Sequence, residues 1–483
     1  MMSTPWEFKL APDPATKEPR SPWAHQLESF EMWKDSEAYG CWWEMGTGKT
    51  GEACNLLEYK RAQGAIQRAL ILATEAVSYG WVEELEGAWG KAPLNLAAMR
   101  TSAARQKALA AFTGAYVICN YDGLVGIEET LYVWLGDRHA VVADESTSIK
   151  NHRAQRSKAL LRLASNAAFK MCMSGTPMPQ GPQDAFGQYL LLDHRVFGNS
   201  FVTFRNRWMR MGGFGGKEIM GLRPEKRREF NAAVYSIGDR RTKLDCLDMP
   251  PKNYQTLHYE LSLAQRKVYN DLAREWVAEI RAKTISVTDG MTKALRLAQA
   301  CTGFIGDREA GETTEHDVPD GGTKIAVLQE LLEQLDGKAI IWCAWRRNVR
   351  EVMALAKRMK LKAVDFYGDT EDKQLSQMAF RNDAATRLFV GTAQSGGPGL
   401  NLQGPEVKTV IYFSQNYSVF NRLQSEDRAH RGSIKHTVTV IDICAKNTIE
   451  VSITKALRQG RQVQDLLLQN PKAFIEGNIP EEE

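Results

Sequence analysis

Glu44-Met45-Gly46-Thr47-Gly48-Lys49-Thr50 has the make-up of a phosphate-binding loop. Small residues let backbone N–H groups close around phosphate oxygens, the lysine reaches the terminal phosphates, and the threonine hydroxyl is placed to ligate Mg²⁺. The apolar run Tyr39–Trp43 ahead of it suits a strand, and Gly51-Glu52-Ala53-Cys54-Asn55-Leu56-Leu57 behind it suits a helix. In that setting the helix N-terminus adds its dipole to an anion site. Trp43 stands where the full G-x-x-x-x-G-K-[ST] pattern has glycine, and GTGKT by itself also occurs in unrelated loops, so the neighbouring sequence has to decide. Upstream, Gln26 carries one donor and one acceptor on its amide, as an adenine edge requires. The plainer alternative is an incidental glutamine on a surface helix.

Downstream, Ala69–Thr74, Ala115–Asn120, Ala140–Glu145 and Phe169–Ser174 repeat one form, an apolar run closed by a polar residue. Continuous apolar strands separated by helical stretches predict a parallel α/β sheet. Ligands of such sheets sit at the carboxyl ends of the strands, where Thr74, Asn120, Asp144 and Ser174 fall. Asp144-Glu145 follows the P-loop in the manner of a Mg²⁺-holding acid beside a carboxylate that orients water. Ser174-Gly175-Thr176-Pro177 is a tight turn whose hydroxyls could couple phosphate state to a bound polymer.

The chain has 483 residues, 43% hydrophobic and 25% charged, enough for two to four globular domains. A net charge of +4 is too mild to announce nucleic acid, so any such footprint must be local. Between Arg205 and Glu229 eight basic residues meet three acids, with Phe204, Trp208 and Phe214 interleaved. This suits phosphate-backbone contact, and equally a solvated face. The eight cysteines, at 41, 54, 119, 172, 246, 301, 343 and 444, form no C-x-x-C pair and no zinc spacing, which fits scattered thiols of a reducing compartment. No signal peptide or membrane-length apolar run is seen, so a soluble, cytoplasmic protein without a membrane role is expected.

Asp248-Met249-Pro250-Pro251-Lys252 reads as a linker, followed by helices over Leu263–Ile280 and Met291–Cys301 and a polar loop, Gly306–Gly322. A second α/β pattern has strands at Lys338–Cys343, Leu361–Tyr367, Arg387–Thr392, Thr409–Phe413 and Val438–Ile443. It has no P-loop, but carries a glycine-rich segment, Gly391–Leu402, and then Asp427-Arg428-Ala429-His430-Arg431. Arg428 and Arg431 lie i, i+3 and share a face of a helix. Two such arginines suit the charge that develops on a transferred phosphoryl group; the alternative is a surface ion-pair network of little energetic worth.

The ordered set Gln26, Gly46–Thr50, Asp144-Glu145-Ser146-Thr147, Ser174–Pro177, Gly391–Leu402 and Asp427–Arg431 resembles the superfamily 2 helicases, and within them the SNF2-type DNA translocases. Trp81-x-x-Glu84-Leu85, Ile149-Lys150-Asn151, Arg240-Arg241-x-Lys243 and Leu247-Asp248-Met249-Pro250-Pro251-Lys252 carry further family signatures. The size resembles compact members such as annealing helicases and small phage helicases. The resemblance implies two RecA-like parallel-sheet lobes in tandem, with helical and basic insertions between them. They would be an arm at 1–20, lobe 1 at 21–248 with a basic insertion at about 196–247, a linker and helical protrusion at 249–323, lobe 2 at 324–460, and a tail at 461–483. The implied cofactors are ATP and Mg²⁺. Gln26, Gly46, Thr47, Gly48, Lys49 and Thr50 would bind ATP, Thr50 and Asp144 the metal, and Lys49, Glu145, Arg428 and Arg431 would be catalytic. Lys150, Asn151, Thr176, Gln394, Ser395 and Asn401 would contact DNA, double-stranded or branched, in a protein compatible with a monomer. Trp23 replaces the arginine usual before the glutamine, and Gly432-Ser433 replaces I-G-Q after the second arginine. An RNA helicase or an ATP-gated switch that does not translocate would share the same ATP chemistry.

Overall fold

A computed structural model describes the chain except for residues 1–5, 14–16, 213–217, 282–286, 310–311, 396–399, 401, 403, 405, 431–433, 435, 462, 464–465, 468–469 and 479–483. It divides into two compact units, Met1–Asp248 and Met249–Glu483. Among the described residues, no helix is long and apolar enough to cross a membrane.

The first unit is built on β1 (Ala38–Trp43), β2 (Arg68–Leu72), β3 (Leu94–Asn95), β4 (Tyr116–Cys119), β5 (His139–Asp144) and β6 (Phe169–Met173). A hairpin, β7 (Met209–Gly212) with β8 (Glu218–Leu222), precedes β9 (Gly238–Arg241). The sheet runs β3-β4-β2-β5-β6-β1-β9, every neighbouring pair parallel. Side chains of a strand alternate between faces, and here both faces are covered. Tyr39, Cys41 and Trp43 of β1 enter one core, with Ala140 and Val142 of β5; Trp42 enters the other, with Val141 and Ala143. Burial on both faces explains why these strands read as unbroken apolar runs. Helix α1 (Ala24–Trp33) precedes β1, α2 (Lys49–Ala62) follows it, and α3 (Glu75–Trp89) follows β2.

The arm ahead of α1 is packed rather than loose. Trp6 lies among Phe30, Tyr59 and Trp89, with ring centroids 5.4–6.1 Å apart. Asn55 of α2 holds Lys9 through both backbone groups, at 2.9 and 2.7 Å, and Glu84 of α3 accepts the Ala11 N–H at 3.0 Å. Leu10 and Ala11 lie over Gly51 and Gly87, where a Cβ would come within 2.4 and 2.7 Å.

The second unit has β10 (Lys252–Tyr259), a hairpin of β11 (Phe304–Glu309) and β12 (Glu312–Asp317), then β13 (Lys338–Cys343), β14 (Lys362–Phe366), β15 (Thr386–Thr392), β16 (Val407–Tyr412) and β17 (Val438–Ala445). Its sheet runs β10-β17-β16-β13-β15-β14, again all parallel. Ala339, Ile341 and Cys343 face one core, Ile340 and Trp342 the other. The expected RecA-like α/β architecture is therefore present in each unit.

Three stretches differ from the sequence reading. The linker after Pro251 runs at once into β10, an edge strand whose polar, largely exposed side chains hid it. The polar loop after Gly306 is a hairpin anchored by Phe304, which is buried edge-on to Trp345. The stretch expected as a tail at 461–483 contributes Val463, Leu466, Leu467, Phe474 and Ile475 to the second unit's core.

Candidate nucleotide site and its neighbours

The P-loop leaves β1 and turns into α2 through two glycines in the left-handed region, Gly46 (φ 81°) and Gly48 (φ 85°). A side chain at 48 would also strike the Gln26 amide, since a Cβ there lies 2.5 Å from Nε2. The loop is held from α1. The His25 Nε2–H donates to the Thr47 carbonyl at 2.8 Å, and burial lowers the His25 pKa, keeping the ring neutral. Gln26 is buried; its Nε2 donates to the Gly48 carbonyl at 3.0 Å and its Oε1 accepts the Trp23 N–H at 2.9 Å. Both ends of the amide expected to read adenine are thus engaged within the chain, and Gln26 buttresses the loop. Lys49 Nζ rests on the carbonyls of Trp43 (2.9 Å) and Glu44 (3.1 Å) at the mouth of the loop.

β6 lies between β1 and β5, so the P-loop, Ser174–Pro177 and Asp144-Glu145 leave adjacent strand ends. Asp144 is buried, its Oδ2 accepting from Trp81 Nε1 at 2.9 Å and its Oδ1 from the Glu145 N–H at 2.9 Å. Burial raises its carboxyl above the usual range, against the pull of the Trp81 indole, the Lys49 ammonium and the Glu145 N–H. Trp81 of the W-x-x-E-L signature therefore orients the acid, while Glu84 holds the arm. Glu145 has φ 48° and ψ 54°, left-handed backbone that a glutamate rarely adopts. The buried Asp144 carboxylate and the hydroxyl of Thr50, the second residue of α2, are hard oxygen donors of the kind Mg²⁺ shares with nucleotide phosphates. The donor set fits ATP and Mg²⁺.

Gln188, which no motif pointed to, joins two of these segments. Its Oε1 accepts from Ser146 Oγ at 2.6 Å, and its Nε2 donates to the carbonyls of Pro177 (2.6 Å) and Asp184 (2.9 Å). The preceding Gly187 is obligatory: a Cβ there would lie 2.3 Å from the Ile149 carbonyl oxygen. Lys150 stands 4.0 Å from Asp184, Asn151 is exposed with its Oδ1 accepting the Arg153 N–H, and the Thr176 N–H donates to Ser174 Oγ. These expected polymer contacts share one neighbourhood of the first unit. Asp239 was also missed; it accepts from Tyr39, Trp43 and Arg241, tying β9 to β1. Its signal was the polar Gly238–Arg241 run, which did not read as a strand.

In the second unit, Gln394 is exposed and Ser395 Oγ accepts from Thr392 Oγ1 at 2.7 Å. Asn401 and Arg431 lie outside the described residues. Arg428 is wholly buried; its Nη1 donates to the Leu400 carbonyl at 3.1 Å, and its own carbonyl accepts the Leu402 N–H at 3.2 Å. It thus holds the end of the glycine-rich segment.

The aromatic residues of the basic insertion do not await a ligand. Phe204 and Trp208 are buried against Phe197 and Phe230. Part of the charge is internally paired too, Glu229 taking both Arg207 and Lys226, and Arg223 donating to the Met209 carbonyl. Arg227 and Arg228 are exposed. Phe214 and Lys217 lie outside the described residues.

Residues 41–303, more than half of the chain, match the SNF2-related domain, and residues 323–433 match the helicase conserved C-terminal domain. The chain is 25% identical over 473 residues to putative protein p41 of Acyrthosiphon pisum secondary endosymbiont phage 1, covering 91% of this chain and 96% of that one. It is 22% identical over 466 residues to the ISWI chromatin-remodeling complex ATPase CHR17 of Arabidopsis thaliana, and 22% over 453 residues to the DNA annealing helicase and endonuclease ZRANB3 of Bos taurus. Those matches cover 91% of this chain but only 41% and 40% of the two eukaryotic proteins. Among solved structures, the Sulfolobus solfataricus SWI2/SNF2 ATPase core in complex with dsDNA aligns over 95% of this chain and 97% of its own, at 17% identity and a TM-score of 0.42.

Proposed function

The chain belongs to the SNF2-related family and is an ATP-hydrolysing, helicase-like enzyme, and from that premise we propose that it is a DNA translocase, turning ATP hydrolysis into movement along duplex or branched DNA. The observation that carries the reading is the row of adjacent strand ends in the first unit. There the P-loop, the Ser174–Pro177 turn and Asp144-Glu145 stand side by side, and Gln188 joins the last two segments. A device that only hydrolyses ATP needs the P-loop and the acids; a bond from the acid segment to a neighbouring turn suits an enzyme that senses a polymer.

Bound ATP–Mg²⁺ supplies the γ-phosphoryl group and the metal charge that stabilises its transfer. The N–H groups of residues 46–50 and the Lys49 ammonium hold the phosphates. Thr50 and Asp144 hold the metal. Glu145 orients the attacking water. Gln26 and His25 keep the loop in shape. Arg428 and Arg431 retain the charge-compensating role that their motif implies. Lys150, Asn151, Thr176, Gln394, Ser395 and Asn401 are assigned to the phosphate backbone, which gives little sequence preference. Branched DNA in replication, recombination or repair is the finer reading, supported by the name of the annealing-helicase relative.

ATP hydrolysis should be stimulated by DNA, tested across duplex, fork, four-way junction, single-stranded DNA and RNA. Lys49→Ala and Glu145→Gln should each lower kcat by about 10²-fold or more while the circular-dichroism melt stays near wild type. Wild-type rates in either variant would sink the site assignment, and stronger stimulation by RNA would replace DNA as the polymer. Displacement of a triplex third strand separates a translocase from a switch.

A further inference from the structure

The second unit starts at Met249, and its first residues are tied to the Asp427–His430 turn. The His430 Nε2–H donates to the Pro250 carbonyl at 2.8 Å. On β10, Lys252 Nζ donates to Glu426 Oε2 at 2.8 Å and stands 3.6 Å from Asp427 Oδ1, and the Tyr254 hydroxyl donates to the same Glu426 oxygen at 2.6 Å. The entering chain therefore grips both ends of the turn that contains Arg428. Glu426 is equally fixed on its other side, where Arg422 donates to Oε1 at 2.6 Å and forks onto Asp442 at 2.5 and 3.1 Å. The side chains of Glu426 and Asp442 are 3% and 0% exposed. Burial alone would push the Glu426 carboxyl up, but Lys252 and Arg422 outweigh it and hold it down at about 2. Arg428 passes the constraint on to Leu400 and Leu402.

A well-packed apolar pair would stabilise such a place as well as a buried ion pair does; what the ion pair adds is a fixed orientation. We infer that Lys252 is a positioning residue for ATP hydrolysis, setting the Asp427–His430 turn, and through it Arg428, from the backbone that enters the second unit. The inference rests on the reading of Arg428 as part of the hydrolytic machinery.

The test is ATP hydrolysis by the full chain, with and without duplex DNA, in Lys252→Met, Lys252→Arg, Arg428→Lys and the double variant Lys252→Met/Arg428→Lys. Lys252→Met should lose about tenfold in DNA-stimulated kcat with KM for ATP changed less than about twofold, and Lys252→Arg should recover most of the loss. Because Lys252 acts through Arg428, the double variant should be no slower than Arg428→Lys alone. Wild-type kcat in Lys252→Met, or losses that multiply in the double variant, would overturn the inference. Should Lys252→Met not fold, Tyr254→Phe removes a single hydroxyl from a partly exposed ring and is expected to lower kcat by about threefold at unchanged KM; an unchanged kcat there counts against the inference. Arg428→Lys at wild-type rate would remove the premise, whereas an impaired Arg428→Lys beside an unimpaired Lys252→Met would remove only the role given to Lys252.

Discussion

Glu145 is held at φ 48°, ψ 54°, where an L side chain costs about 1–2 kcal/mol. The strain is supported by the bond from its own N–H to Asp144 Oδ1 and by the 3-10 turn that follows. Glycine relieves the strain and alanine keeps it. Glu145→Gly should therefore be more stable than Glu145→Ala by about 1 kcal/mol in urea unfolding, reversing the usual order, while neither hydrolyses ATP. Equal stabilities would show that the backbone relaxes once the carboxylate is gone. At this scale the sequence was partly readable. Lys49 and Asp144-Glu145 stood out in the sequence because the chemistry proposed for them requires fixed neighbours in the chain, and the fold places both segments at strand ends of one sheet. Gln26 was legible as a residue beside the loop, but its bonds to the Gly48 carbonyl and the Trp23 N–H appear only in the folded loop. Gln188 had no signal: one glutamine in the apolar helix Ala185–Leu192 reads as helix surface until its partners arrive from 42 and 11 residues away.

That helix links the end of β5 to the end of β6, and Gln188 is where it does so. Gln188→Leu keeps the side-chain volume but strands the Ser146 hydroxyl and the Pro177 carbonyl, a loss of about 1–3 kcal/mol in stability. Hydrolysis without DNA should stay within about twofold of wild type while stimulation by DNA falls severalfold. Stimulation that survives in full would show that the acid and the turn communicate by another route. The buried parallel strands were legible at this level to within a residue or two, because a strand covered on both faces has no polar side to interrupt it. β9 and β10 were not. Each lies at a sheet edge, with one side unpaired and side chains partly in water, so Gly-Asp-Arg-Arg and Lys-Asn-Tyr-Gln-Thr-Leu-His-Tyr carry no apolar run. Of these edges, β9 carries Asp239, which ties it to β1, and β10 carries Lys252, which bonds Glu426.

Across the whole chain a net charge of +4 leaves DNA affinity to local groups. Of the basic insertion, Lys226 and Arg207 share the single exposed carboxylate of Glu229, and Phe204 and Trp208 belong to the core. What remains to meet a phosphate backbone is narrower than the count of basic residues suggests. Neutralising Arg227 and Arg228 together should reduce the slope of log K against log salt by about 2, without changing any preference among sequences. An unchanged slope would return the segment to a solvated face. The two units share one plan of alternating strands around two cores, and the sequence showed this twice over. It could not show that the second unit enlists residues on either side of its central pattern, β10 before it and Phe474 and Ile475 after it.

The residues ahead of α1 are seated on the helices that follow β1 and β2. Gly51 lies in the first turn of α2 and Gly87 in the last turn of α3, and together they leave the trough that Leu10 and Ala11 fill. The seat is carved by missing side chains, so it belongs to the first unit's architecture as much as any strand does. A fluorophore or affinity label attached near Trp6 would be anchored over the nucleotide-binding helix. Its signal would report on that helix as well as on the label's own freedom.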